Sequence, residues 1–103
     1  MKEEYRGCSY ATTEESKELG YTVIILYYKT EEKLENGKNL YGVMIKSKCI
    51  AYPLVPKYYE KREYQEIAKI GTIEKSADEL IEKLKRLQVT PITLKEVMED
   101  MKV

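Results

Sequence analysis

Histidine, phenylalanine and tryptophan are absent from this chain. Without histidine, a cysteine nucleophile has no imidazole beside it to act as base. Cysteine itself is scarce. Cys8 and Cys49 stand alone, outside any C-x-x-C pair, and read as small buried or half-buried thiols of a reducing compartment. The five glycines are isolated, so neither a phosphate-binding loop nor a dinucleotide fingerprint can be drawn through them. The longest apolar run, Val23 to Tyr28, falls far short of the ~20 residues that span a bilayer. Met1-Lys2-Glu3-Glu4-Tyr5 is too charged to open a signal peptide, and no apolar segment follows it. Neither sign of charge prevails: Lys plus Arg and Asp plus Glu number 18 each, so no overall field draws the chain to nucleic acid or to an anionic membrane. The expected setting is the cytoplasm, with no membrane partner and no cofactor.

What is present is tyrosine, and a good deal of it. Ten tyrosines must supply all the aromatic packing area, each hydroxyl finding water or a partner. At 103 residues the chain is expected to be a single domain over 1–103, with one modest core. Tyr21 to Tyr28 is dense in β-formers and reads as a strand. Leu40 to Lys46 reads as another, extending toward Tyr52. Between them Asn36-Gly37 is the strongest short hairpin signal available. Gly7 to Ala11 is a weaker strand candidate, with Leu19-Gly20 as a turn, so residues 1–20 form a less defined N-terminal segment. Pro53 and Pro56 break the second strand. Lys57 to Arg62 is compatible with a loop or with the start of a helix, and a further strand is expected from about Glu66 to Ile73.

The remaining residues read as two capped helices. Ser76-Ala77-Asp78-Glu79 is a capping-box pattern, and Leu80, Ile81, Leu84 and Leu87 follow at helical spacing. The helix is expected to stop near Gln88, ahead of Pro91. Thr93-Leu94-Lys95-Glu96 is a second box, with Ile92 and Val97 placed to form a hydrophobic staple. The fold class that follows is α+β: an antiparallel sheet of three or four strands over 21–73, then two C-terminal helices over 76–102 packed on one face.

Two stretches carry a resemblance. Ile67-x-x-Ile70-x-Thr72 is followed by a Lys/Glu-rich amphipathic helix and then by Val89-x-Pro91-x-x-Leu94-x-x-Val97-x-Glu99-Asp100. Together with Leu40-Tyr41-Gly42-Val43-x-Ile45, these resemble a family of small clostridial Firmicutes proteins with a domain of unknown function. The resemblance covers residues 20 to 102. Its motifs are strands, caps and a proline stop, so it implies a fold pattern and a bacterial cytosolic setting, and nothing about substrate. In that family a histidine often stands where this chain has Thr93, and an acidic residue where it has Lys69.

Each candidate for chemistry has a plainer explanation. Glu96, Glu99 and Asp100 on the last helix have the oxygen ligands for a hard cation, but no glycine-turned ligand loop accompanies them, and such a face is ordinarily just solvated. No catalytic, cofactor-binding or metal-binding residue is therefore assigned, and the chain is not expected to be an enzyme. The stretch from Lys46 to Tyr64 interleaves basic and aromatic residues, among them Lys57, Tyr58, Tyr59, Lys61, Arg62 and Tyr64, a pattern that can track and stack on a single-stranded nucleic acid. Glu60 and Glu63 dilute it, and a solvated loop accounts for the same residues.

Strand alternation supplies a last expectation. Tyr41, Val43 and Ile45 share one face, and Leu40 and Met44 the other. The first strand is apolar on both faces, so two helices leave Leu40, Met44, Ile24, Leu26 and Tyr28 facing outward. Either the Pro53–Tyr64 segment folds over that face or a second copy does, and the polarity of that segment favours the second, a two-fold homodimer. The function read from the sequence is accordingly a non-catalytic protein-interaction or regulatory module that self-associates, with single-stranded nucleic-acid binding as the alternative.

Overall fold

A computed structural model describes residues 1–11, 21–51 and 63–101. Four strands, β1 (Lys2–Ala11), β2 (Tyr21–Lys33), β3 (Asn39–Ala51) and β4 (Glu63–Gly71), form an antiparallel sheet in chain order. Two helices follow, α1 (Glu74–Arg86) and α2 (Leu94–Met101). The fold is α+β. The N-terminal strand is longer than Gly7–Ala11, so the sheet takes in much of the segment left less defined by the sequence. The last strand lies three residues earlier than expected at its start. Leu19-Gly20, Tyr52 and Lys57 to Arg62 lie outside the described residues.

The β2–β3 hairpin is built by the Asn-Gly signal. Asn36 Oδ1 accepts from the Lys38 amide at 2.9 Å, and the Leu34 amide donates to the Lys38 carbonyl at 2.8 Å. Gly37 takes φ +83°, which a β-carbon would resist. The resulting register sets Tyr27 opposite Ile45 and Tyr28 opposite Met44.

The helices cover the face that carries Val23, Ile25, Tyr27, Tyr41, Val43 and Ile45. Ile25, Tyr27, Val43 and Ile45 pack with Ile81 and Leu84 of α1, Val89 of the connection and Leu94 of α2 in one buried cluster. The helices are held down by this burial, at roughly 1.5–3 kcal/mol per large apolar side chain.

The helix ends correct the capping boxes in part. α1 starts at Glu74, with Ile73 as a cap that has no side-chain hydrogen bond. Ser76 is therefore already in the first turn, and exposed. The start is set by tertiary contacts of Glu74, described below, and not by a serine oxygen. The stop falls where expected but has its own cause. Gln88 adopts φ +55°, its amide donates to the Lys85 carbonyl at 3.1 Å, and the Val89 amide donates to the Leu84 carbonyl at 3.0 Å. That is a Schellman ending, with Val89 folded back onto Leu84 in the core. Thr93 does precede α2, but its hydroxyl bonds back to Thr90, 2.9 Å from the Thr90 hydroxyl. Ile92 is 71% exposed, which dissolves the expected staple with Val97, and Leu87 leaves the α1 stripe for solvent.

Candidate interaction edge

The opposite face of the sheet carries Ile24, Leu26 and Tyr28 of β2, Leu40, Met44 and Lys46 of β3, and Ile67 of β4. It is not the open apolar surface that strand alternation suggested. Met44, flanked by Tyr28 and Ile67, is fully buried, so it cannot meet a partner. Ile24, Leu26, Tyr28 and Leu40 are half-buried. Long polar side chains lie across the face. The Lys46 ammonium sits 5.1 Å above the Tyr28 ring, the Tyr5 ring meets Tyr28 edge-on at 5.6 Å, and Lys69 pairs with Glu32 at 2.8 Å.

Three of the exposed large apolar side chains stand together at β1, whereas Tyr64, Ile73, Leu87 and Ile92 are exposed singly, on β4 and at the helix ends. Strand β1 is an edge: β2 is its only neighbour among the described strands. Tyr5 is 54% and Tyr10 58% exposed, Met1 just before the strand 64%, and Cys8 is a free, exposed thiol. The buried or half-buried setting expected for the two cysteines thus does not apply to Cys8. Opposed residues share a face, and Tyr5 opposes Tyr28, Cys8 opposes Leu26 and Tyr10 opposes Ile24. All three therefore stand on the helix-free side.

A bulge makes this possible. The register slips between Tyr5 and Gly7, leaving Arg6 as the extra residue, and Gly7 takes φ +124°. Arg6 turns toward α1, 3.6 Å from Asp78 and 3.9 Å from Glu82, while also meeting Glu4 at 3.2 Å. Lys85 donates to the Arg6 carbonyl at 3.3 Å. A β-carbon on Gly7 would lie 3.2 Å from the Lys85 side chain, so glycine lets helix and strand approach.

One strand inward, the same helix face is anchored by a lysine. Lys29, 7% exposed, reaches Glu74 at 2.7 Å and Asp78 at 2.9 Å and lies 5.2 Å from the Tyr41 ring centre. The Tyr41 hydroxyl donates to Glu74 at 3.3 Å. Burial pulls the Lys29 pKa down, but the hydrogen bonds to Glu74 and Asp78 outweigh it and leave the value above that of a free lysine. Glu74 is held below the usual carboxylate range by the Lys29 hydrogen bond first, then by the lysine charge and Tyr41. Glu74, Asp78 and Glu82 recur every fourth residue, so one acidic row of α1 lies over the cations of β2 and β1. These ion pairs orient the helix beside the edge strand. Removing Lys29 would leave acidic groups without their buried partner.

Between β1 and α1 runs an open groove of about 780 Å³. Four consecutive β1 residues, Arg6 to Ser9, form one wall. Asp78, Glu82 and Lys83 are on the other side. Its charges are largely matched, and no histidine in the chain can turn Cys8 into an activated nucleophile.

The basic-aromatic stretch is only partly within view. Lys57, Tyr58, Tyr59, Lys61 and Arg62 lie outside the described residues. Tyr64 is in β4 and exposed, opposite Ser47, on the face that the helices occupy. Lys46 and Lys48 alternate with Ser47 and stand on the other face. Of the basic and aromatic residues of this stretch, Lys46, Lys48 and Tyr64 are described, and all three border one recess at the β3–β4 pair. Among the described residues there is no group of three or more His, Cys, Asp or Glu able to hold a metal ion, and no helix long and apolar enough to cross a membrane.

Tyr5, Arg6, Tyr10 and Lys29 were not singled out by sequence. The one local signal was Gly7 within a strand pattern, which marks a bulge. No curated protein and no solved structure matches the chain. One family does, a family of unknown function (DUF6514), over residues 2–102, nearly the full length of the sequence and therefore including β1, the sheet and both helices. The chain belongs to that family.

Proposed function

We propose that this chain is a non-catalytic protein-interaction module that self-associates through its outer strand β1. The observation that carries the reading is the meeting of a strand edge that has no outer neighbour among the described residues with the exposed side chains of Met1, Tyr5, Cys8 and Tyr10. An edge strand presents a row of backbone donors and acceptors ready to pair with another chain. The face built from Ile24, Leu26, Tyr28, Leu40 and Met44 is the weaker candidate, because those side chains are half-buried or buried within one copy. Net charge of zero sets no long-range repulsion between copies. An exposed free thiol supports the cytoplasm, a reducing compartment, as the setting of this reading. Light scattering after gel filtration at high micromolar concentration tests the reading. It predicts a mass approaching twice 12.1 kDa. A monomer mass at every concentration overturns self-association.

Single-stranded nucleic acid is the second reading. Its support is a recess of about 270 Å³ bordered by Lys46, Lys48, Tyr64 and Gln65. Binding that weakens steeply with salt would favour it. No affinity for any single strand at low salt removes it.

A further inference from the structure

We infer that two copies join β1 to β1 about a two-fold axis through Tyr5, making one continuous eight-stranded sheet. This rests on the reading of β1 as the association edge, and it adds the register.

The register follows from pleat and charge. In an antiparallel pair, directly opposed residues share a face. Glu3, Tyr5, Cys8 and Tyr10 stand on the helix-free face of β1, and Lys2, Glu4, Arg6, Gly7 and Ser9 on the helix side. Before the bulge, any axis between two residues would oppose side chains from different faces and is excluded. An axis on Glu3, Glu4 or Arg6 would set like charges against each other, which destabilises a cross-strand pair. An axis on Tyr5 does neither. It sets Tyr5 against Tyr5 of the second copy, beside the existing Tyr5–Tyr28 contact, so an aromatic row crosses the junction. It sets Glu4 against the second copy's Arg6, opposite charges on the helix side, twice by symmetry. With the bulge taking up the extra residue, Met1 meets the second copy's Tyr10 on the helix-free face. The three large exposed apolar side chains at this edge are thereby covered. The open groove beside Arg6 to Ser9 receives Glu4 and Lys2 of the second copy. An axis on Cys8 also avoids like charges, but it leaves Glu4 without a cation opposite and leaves Met1 unpaired.

Cross-linking tests the register. Tyr5→Cys is made in a Cys8→Ser, Cys49→Ser background, with Tyr10→Cys in the same background as control. Opposed residues have β-carbons about 4.5–5.5 Å apart, near the span a disulfide closes. Mild oxidation should link Tyr5→Cys into covalent dimers and leave Tyr10→Cys and the wild type, through Cys8, unlinked. Glu4→Arg should weaken the wild-type dimer about tenfold, since each of two symmetric pairs passes from attraction to repulsion. Circular dichroism confirms that each variant is folded. A dimer by light scattering in which Tyr5→Cys does not link overturns the register and leaves β1 association standing. A dimer in which native Cys8 links does the same in favour of the Cys8 axis. A monomer overturns both the register and the reading beneath it.

Discussion

Removing a single oxygen tests how the sheet holds its helices. Tyr27 is fully buried in β2, and its hydroxyl donates to the carbonyl of Val89, 62 residues away in the α1–α2 connection, at 3.0 Å. Val89 is itself 5% exposed, so water is a poor substitute partner. Tyr27→Phe preserves the ring and deletes the donor, leaving a buried carbonyl without this bond. The cost expected for such an orphan is about 1–3 kcal/mol. For a domain of this size that lowers the thermal midpoint by roughly 5–15 °C. Tyr10→Phe, at an exposed edge position, should stay within about 0.5 kcal/mol. Chemical denaturation of both variants, with unchanged m-values, is the assay. The same hydroxyl gives an alkaline signature. Burial pushes its pKa up to about 12 from 10.0. The folded state thus keeps the proton after the unfolded state has lost it. The stabilisation is complete below about 10 and is lost as pH rises toward 12. The gap between wild type and Tyr27→Phe should therefore narrow across that window. If Tyr27→Phe costs no more than Tyr10→Phe, the hydroxyl does not tie the helix connection to the sheet.

Three other substitutions probe separate devices. Gln88→Gly should raise stability by about 0.5–1 kcal/mol, because glycine accepts the positive φ of the Schellman ending, and a drop in the urea midpoint would contradict that geometry. Gly42→Ala should cost roughly 1–3 kcal/mol, since its β-carbon would lie 2.6 Å from the Ala68 carbonyl oxygen and 2.7 Å from the Thr30 hydroxyl; an unchanged midpoint would show that β3 and β4 are not so closely packed there. Glu74→Gln tests the buried lysine. The depressed Glu74 pKa means that its stabilisation is present above the ordinary value of 4.5 and is lost as pH falls through the folded value. Wild-type stability should fall more steeply than that of Glu74→Gln in acid, and parallel curves would argue against the Lys29–Glu74 pair.

The order of elements was legible because its signals are local. Asn36-Gly37 set the hairpin, the Tyr21–Tyr28 run set β2, and the 3.6-residue recurrence of Leu80, Ile81 and Leu84 set the core side of α1. The start of β1 was not legible, since Lys2-Glu3-Glu4-Tyr5-Arg6 is charged as edge strands tend to be and its alternation breaks at the Arg6 bulge. The Ser76 box misplaced the start of α1 because Glu74 is fixed by Lys29, 45 residues earlier, and no window of sequence contains both. Met44 was assigned to an open face on alternation alone, and alternation cannot say how far flanking side chains close over a residue.

Hydrogen exchange at two protein concentrations tests β1 as the association element most directly. Amides along Lys2–Ala11 should become markedly slower to exchange as the concentration rises from low to high micromolar, as their outer edge gains partners. Those of the other edge, Glu63–Gly71, should not change. Protection that rises with concentration at β4, or at no strand at all, would contradict β1 as the edge through which this protein meets its partner.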